Sequence, residues 1–590
     1  MHTSPNAPAS WPLVVVTLVA VTTSTLTWFL SFSSPDPLFL APFRESQTAI
    51  SAEYLIREPC PVLEWQLPVL GSPWRIPFEF PLHQLLSSSI SHFGLGVEQA
   101  GRLVSLTAFF GCIVVSFRLI CVWGLPREVA KVGVALFLTS PLLICYATAN
   151  MIESLTLVFA LLYLWATLHY ASGGGCAWFA VALGAGIAAA LVKVTTWLPV
   201  GFMLSLVLLG KVNRACRADG WLPACQVNTL AFAALLFLPF LVGLLWSRWC
   251  EGIRCQNALA SVVWQHEGTK QWMFGTLAQR LSLRNWLMVL SKHILLVFGP
   301  IGFLAPLVWF AAWRVGGGLA HPWNRSMGLC LAGYGCHLMA FFPLHLRHDY
   351  YVYGSGAYLI IAMLFGFSIL MQKHRSFWVR RFLPAMCVSM LLGSLVYVTC
   401  KRGYHDLAVE QAIRVLKTVP GDEPVVFFGF DYSPRVPLAT KRKALMFPDG
   451  CDDERTVASV LLANRGVPYC AVMVMGAARD EAAKRSAEYL GLDAANRLQF
   501  WPGGYWYSRH VPPAIETMPS AGDQQVFAEL AKRVPRDLKA PDGLVFLRTP
   551  FYPGKGDLFE VVAKRGSSAF FYRSHGHRLV RVRGYFADTL

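Results

Sequence analysis

Along the first 400 residues of this 590-residue chain, apolar runs near 20 residues long alternate with short polar breaks. Bounded by charge, proline or glycine, eleven windows stand out: 11 to 32, 102 to 122, 128 to 148, 152 to 170, 176 to 195, 196 to 210, 227 to 246, 287 to 313, 326 to 344, 354 to 371 and 382 to 400. A helix of about 20 apolar residues crosses a hydrocarbon core of about 30 Å, so the pattern predicts a mostly α, polytopic bundle of about 11 transmembrane helices. After residue 400 the texture changes to short β-like runs, EPVVFFGF (423 to 430), YCAVMVMG (469 to 476) and GLVFLR (543 to 548). Amphipathic helical stretches at 453 to 464, 479 to 491 and 522 to 534 separate them, which reads as a small α/β domain. Two domains are therefore expected: 1 to 400, with a long first loop at 33 to 100, and 401 to 590.

Composition agrees: 55% hydrophobic and only 14% charged residues exclude a soluble enzyme, and the many windows exclude a single-anchor receptor. The net charge of +17 would suggest nucleic acid in a soluble protein, but here it divides between two sides of a bilayer, and no nucleic-acid partner is expected. With the N-terminus inside, the inner breaks hold 12 Lys or Arg in about 59 residues, the outer ones 10 in about 129. The positive-inside rule thus puts the N-terminus in the cytoplasm and the tail after Cys400 outside, the periplasm for a bacterial inner membrane. The first segment alone barely fixes this orientation, and a signal peptide cleaved near Ser34 is the alternative reading of it. Of 13 acidic residues before position 400, 11 fall on the outer side, which points the chemistry there; the bland alternative is that acidic loops merely stay wet.

Cys250 and Cys255 share one outer loop and Cys451 and Cys470 share the tail, so each pair could form a disulfide in an oxidising compartment. No CxxC pair, HExxH helix or phosphate-binding glycine loop is present, so no cofactor is required by the sequence. The KRK cluster at 441 to 443 either faces an anion or is a solvated edge.

The first outer loop opens with PFRESQTA (42 to 49), which starts a helix running to about Leu55, and closes with PFEFPLHQL (77 to 85) leading to GRLVSL (101 to 106). Loops of about 68 residues are usually functional. ANMIESL (149 to 155) sets Glu153 at the start of a span, where an ionisable group is either functional or a helix N-terminal carboxylate. HLRHDYY (345 to 351) gathers His345, Arg347, His348, Asp349, Tyr350 and Tyr351 on the same side. Cations and aromatics beside carboxylates suit a phosphorylated, lipid-linked ligand; the bland reading is a Tyr belt at the interface.

This order of a long first loop with an early acid, a Pro-Leu segment, Arg-Leu-x-Ser, an acid between two spans and a Tyr-Tyr turn resembles the GT-C glycosyltransferases. More narrowly, it resembles the branch of the protein O-mannosyltransferases and the bacterial aminoarabinose transferase. That branch carries Asp-Glu in the first loop and Lys-Pro-Pro-Leu later; here Arg44 replaces the Asp, Glu45 matches the Glu, and Glu79 stands near the Lys, before Pro81 and Leu82. The two inversions suggest a compensating Arg44–Glu79 swap. The resemblance implies transfer of a hexosyl or pentosyl group, with inversion, from a polyprenyl-phosphate donor to a hydroxyl acceptor that is a glycan, lipid or protein, at the periplasmic face among membrane lipids. Under it, Glu45 is the first candidate base and Glu153 the second. Arg44, Arg347, His348 and Lys193 are candidate phosphate partners, and Glu79, His345, Asp349, Tyr350 and Tyr351 supporting residues. Trp65 and Trp74 either stack on sugar or anchor the loop. No metal is indicated, although Glu45 and Glu153 could hold a divalent ion as a pair. Two rival readings are a transporter or flippase of lipid-linked sugars, and a scaffold in which both glutamates are dispensable.

Overall fold

The computed structural model describes residues 11–34, 36–219, 227–265, 267–377, 381–402, 406–475, 479–492, 497–501, 504–508, 544–550, 557–565, 568–575 and 578–586. The bundle contains α1 (Trp11–Phe32), α2 (Pro42–Arg57), α3 (Leu82–Ser91), α4 (Val97–Val122), α5 (Arg127–Thr139), α6 (Pro141–Tyr146), α7 (Glu153–Ala171), α8 (Cys176–Asp219) and α9 (Val227–Arg254). It continues with α10 (Ala258–Gln265), α11 (Glu267–Phe274), α12 (Leu277–Leu281), α13 (Leu283–Phe298), α14 (Ala305–Val315), α15 (Pro322–Ala340), α16 (Phe342–Arg347), α17 (Tyr353–Phe377) and α18 (Leu383–Arg402).

All eleven apolar windows fall on these helices, but eleven separate crossings do not follow from helix length. Among the described residues six helices are long and apolar enough to cross a membrane, or seven if the bent pair Gln271–Leu281 and Leu283–Phe298 counts as one. The shortfall has local causes. Pro141 lacks an amide proton and disfavours a helical residue before it, which splits the window at 128 to 148 into α5 and α6. Gly299 (φ +68) and Pro300 divide the window at 287 to 313 in the same way. Inside α8, Lys193 is extended (φ −161, ψ 95). Before it Gly186 and Ala190 climb α9 beside Pro239 and Gly243; after it Trp197 returns to Phe240. The chain therefore doubles back at Lys193. Helix α17 is central: 94% of its apolar window is buried, as expected of a helix apolar on every side. On α9, by contrast, Leu230, Phe237 and Leu245 are exposed, the texture of a lipid-facing surface.

The tail comprises α19 (Leu407–Lys417), β1 (Val425–Phe428), α20 (Arg435–Thr440), β2 (Ala444–Phe447), α21 (Glu454–Ala463), β3 (Ala471–Met475), α22 (Asp480–Tyr489), β4 (Arg497–Trp501) and β5 (Gly504–Ser508). Its sheet has the order β2-β1-β3-β5-β4, with β1 parallel to both β2 and β3. A second sheet, β6 (Leu544–Pro550), β7 (Asp557–Arg565), β8 (Ser568–His575) and β9 (Arg578–Phe586), is antiparallel throughout. The helix expected at 522 to 534 lies outside the described residues.

The first loop and the tail share one core, in which Leu67, Val69 and Leu70 pack with β1 and β2. The loop also covers the sheet edge, with Ala444 N donating to Pro68 O, Met446 N to Val69 O and Gly71 N to Ala444 O. Neither expected disulfide forms. Cys250 faces inward and donates to Phe78 O while Cys255, five residues along, is exposed. Cys470 precedes β3 and Cys451 follows β2, so they sit at opposite ends of parallel strands.

The KRK cluster is also spoken for. Arg442 is buried and donates to the carbonyls of Val419, Pro420, Gly421 and Glu423, while Lys441 and Lys443 pair with Glu53 and Glu58. Replacing Arg442 by Leu leaves four carbonyls without their donor and destabilises the tail by about 3 kcal/mol. Hydrogen exchange of the full-length protein should then accelerate in β1 and β2 by roughly 100-fold, with α17 unchanged.

Candidate functional site

The first turn of α2, the 147 to 152 turn, the start of α7 and the break in α8 meet at the tail-facing end of the bundle. Pro42 opens α2 at a position where its missing amide proton is harmless. Three residues later Glu45 is fully buried, and both its oxygens are used: Oε1 accepts from Ala41 N (2.8 Å) and Oε2 from Asn150 N (3.0 Å). Burial pushes Glu45 up to about 7, against the opposing pull of these two amides and of Arg102. The turn it holds packs on α4 at Gly101, where a Cβ would meet Asn150 Oδ1 at 1.8 Å; only glycine admits that approach. From the next residue, Arg102 Nε donates to Thr148 O (2.8 Å) and Nη2 to Ser31 Oγ (3.0 Å).

Beside Glu45, Arg44 Nη2 donates to Glu79 Oε1 (2.8 Å) and Nη1 to Gln47 Oε1 (2.5 Å). The inverted pair anticipated from the two departures in the loop is thus in contact. Glu79 is delivered by a segment docked on α8 and α9: Phe80 N donates to Leu191 O, and Phe78 O accepts from Trp246 Nε1. Trp65 is buried and its Nε1 donates to Glu79 O, so it anchors this segment and does not face a ligand. His83, on α3, bonds to Ser105, and burial pushes it down to about 4, which leaves it neutral.

At the α8 reversal, Lys193 Nζ donates to Glu153 Oε1 at 2.6 Å. The other oxygen of Glu153 is buried and has no hydrogen-bond partner among the described residues. Lys193 also lies 4.8 Å from the Tyr351 ring centroid and 5.5 Å from that of Tyr350. Tyr350 stacks on Tyr351 and on His348, so Arg44, Glu79, Glu153, Lys193 and the two tyrosines form one neighbourhood.

The remaining expected residues are placed elsewhere. Asp349 turns to a second cluster, accepting from Tyr397 (2.9 Å) and lying near Lys401 (3.4 Å) and Lys292 (3.5 Å). It therefore does not orient His348. Arg347 is exposed and makes no ion pair among the described residues. His345 is buried between His293 and His337, away from the carboxylates. Arg102, Asn150, Tyr397 and Tyr432 were missed in the sequence. GRLVSL carried the only signal for Arg102; the others are single polar residues whose neighbours are distant in the chain. Three of the four oxygens of Glu45 and Glu153 go to two amides and Lys193, and among the described residues no group of three or more His, Cys, Asp or Glu is arranged to hold a metal. A separate cleft of about 630 Å³ lies between the first loop and the tail, lined by Tyr54, Trp74, Glu58 and Lys443, whose charges pair with each other.

No protein-family model matches the sequence, and no curated protein matches it. Solved structures do match in shape. ArnT from Cupriavidus metallidurans bound to undecaprenyl phosphate aligns with a TM-score of 0.55 at 14% identity, over 86% of this chain and 99% of that one. Its apo form gives 0.54 at 14% identity over 84% and 99%. The archaeal oligosaccharyltransferase AglB from Archaeoglobus fulgidus, in complex with an inhibitory peptide and a dolichol-phosphate, gives 0.50 at 11% identity over 87% and 75%. The chain shares the fold of these solved structures. At these identities the likeness extends to the fold and not to individual side chains.

Glu45 provides a pH test of the site. Its folded value of about 7 lies above the ordinary 4.5, so its contribution to stability is fully present below pH 4.5 and is lost as pH rises through 7. The loss is about 3 kcal/mol. Melting temperature should fall over that window in the wild type, and the fall should flatten in Glu45→Gln.

Proposed function

We propose that this protein is an integral-membrane glycosyltransferase that moves a sugar from a polyprenyl-phosphate donor to a hydroxyl acceptor at the periplasmic face of a bacterial inner membrane. The observation that carries this reading is the buried Lys193–Glu153 pair with one carboxylate oxygen unpartnered, set beside the Arg44–Glu79 pair and two tyrosines. The shared fold with ArnT and AglB supports it, since those two were solved with undecaprenyl phosphate and a dolichol-phosphate.

In this reading Glu153 is the base. Its unpartnered oxygen takes the acceptor proton as the acceptor oxygen bonds to the anomeric carbon. The bond from that carbon to the phosphate oxygen breaks, and its electron pair stays on the phosphate. Lys193 and Arg44 stabilise that developing charge, exchanging part of their carboxylate contact for phosphate. Glu45, the first candidate from sequence, becomes a positioning residue, because two amides occupy its oxygens and it fixes the turn that presents Glu153. Tyr350 and Tyr351 wall the site and hold the lysine ammonium over their rings. The N-terminus is cytoplasmic and the tail periplasmic, by the distribution of Lys and Arg. This topology puts α2, Glu153 and Lys193 at the outer end of the bundle.

Membranes carrying each variant, supplied with labelled polyprenyl-phosphate sugar, test the assignment. Glu153→Gln should lower kcat by about 100-fold or more while undecaprenyl phosphate still binds. Lys193→Met should weaken that binding by about 10-fold or more. A wild type that moves label across the bilayer without transferring it would establish the transporter reading in its place.

A further inference from the structure

One loop of the tail reaches the site. β1 ends at Phe428 and the chain turns at Gly429 (φ +77), where a Cβ would lie 2.1 Å from the Met475 carbonyl oxygen. Asp431 follows in the left-handed region (φ +51), an arrangement that persists only where the surroundings fix it. Those surroundings are specific. Pro434 is buried, Arg435 Nη2 donates to Asp36 Oδ2 at 2.7 Å, and α20 packs along α2. The loop thereby sets Tyr432 edge-on against Phe43, with ring centroids 5.0 Å apart and planes at 86°. Phe43 is the residue before Arg44, and Tyr432 lies within electrostatic range of Arg44, Tyr350 and Tyr351.

We propose, on the glycosyl-transfer reading above, that Tyr432 and Asp431 form the acceptor side of the site and that the acceptor is a glycan, which stacks a pyranose on the Tyr432 ring and donates a hydroxyl hydrogen bond to Asp431.

Three features favour this occupant. β1 and β3 are parallel neighbours, and the chain leaves the carboxyl end of β1 toward β2 on one side and that of β3 toward β4 and β5 on the other; that switch point is where open α/β sheets bind small polar ligands. The charge around the loop is acidic, with Asp449 near Asp431, and the neighbouring cation Arg479 is paired with Asp449 and Asp452. This environment accepts hydroxyls or an amino group and disfavours a second phosphate. An extended peptide would want a free strand edge, and the β2 edge beside this loop is already bridged by residues 68 to 71. Tyr432 is then a positioning residue: it holds the acceptor hydroxyl toward Glu153 and leaves the donor alone.

The experiment separates the two substrates. Purified full-length protein in lipid nanodiscs is given labelled polyprenyl-phosphate sugar, and three quantities are read: affinity for undecaprenyl phosphate, release of free sugar to water, and transfer of label into the glycan and protein fractions of added membranes. Tyr432→Ala should lower transfer to glycan by about 10-fold and change the other two by less than about 2-fold. Tyr432→Phe, which keeps the ring, should retain transfer, and this also guards against a folding defect in the Ala variant. Asp431→Asn should raise the acceptor concentration needed for half-maximal rate, with kcat kept. Equal loss of hydrolysis and transfer, unchanged transfer in Tyr432→Ala, or label found in protein would each overturn the proposal. A wild type that cleaves no donor would remove the transfer reading itself, and this inference with it.

Discussion

The site depends on keeping two cations and three carboxylates at one dry end of a helical bundle. Lys193 and Glu153 are nearly withdrawn from solvent, Arg44 and Glu79 largely so, and Glu45 completely. Such charges are tolerated only when each has a partner, and removing one member of a buried pair is far costlier than the pair is worth. The backbone is bent to supply those partners. Lys193 reaches Glu153 because α8 reverses there, and Glu45 is satisfied because the 147 to 152 turn offers the Asn150 amide. The break at Lys193 and the 147 to 152 turn thus coincide with polar positions that a continuous helix would bury without partners.

The first loop translates this end of the bundle into a platform for the tail. Its segment at 77 to 80 is hydrogen-bonded to α8 and α9, and its segment at 68 to 71 extends the sheet beside β2. One stretch of chain therefore links Glu79 to the tail's core. Asp36 adds an ion pair to Arg435 on the tail side. A change in how the tail sits would be felt at Arg44 through α2, which carries Phe43 against Tyr432 on one face and Glu45 against Asn150 on another. The energetics of tail docking and of site geometry are consequently coupled.

Much of this was legible in the sequence where the signal was local. Apolar length placed the helices, and the exchange of an expected acid for Arg44 and of an expected base for Glu79 anticipated their contact. The start of α2 followed from PFRES, and two of the three tail helices from their amphipathic period. What could not be read was long-range. HLRHDYY looks like one cluster, yet its side chains serve three: Tyr350 and Tyr351 face Lys193, Asp349 faces Lys401 and Lys292, and His345 joins His293 and His337. A short helix and a 3-10 turn fan consecutive residues around the axis, so adjacency in sequence does not make adjacency in space. The paired cysteines misled for the same reason, being separated by helix phase in one case and by strand length in the other.

Under the proposed function the same geometry favours Glu153 over Glu45 as the base. A base needs a free lone pair within reach of the proton it takes, and a fully buried carboxylate with an amide on each oxygen is committed to holding backbone. Glu45 is in that position, and its elevated proton affinity follows from burial, which by itself is no evidence of catalysis. Glu153 instead spends one oxygen on a lysine and keeps the other without a partner among the described residues. Under the proposed function the pair couples acceptor activation at the acid to stabilisation of the leaving group by the lysine, with Arg44 beside it.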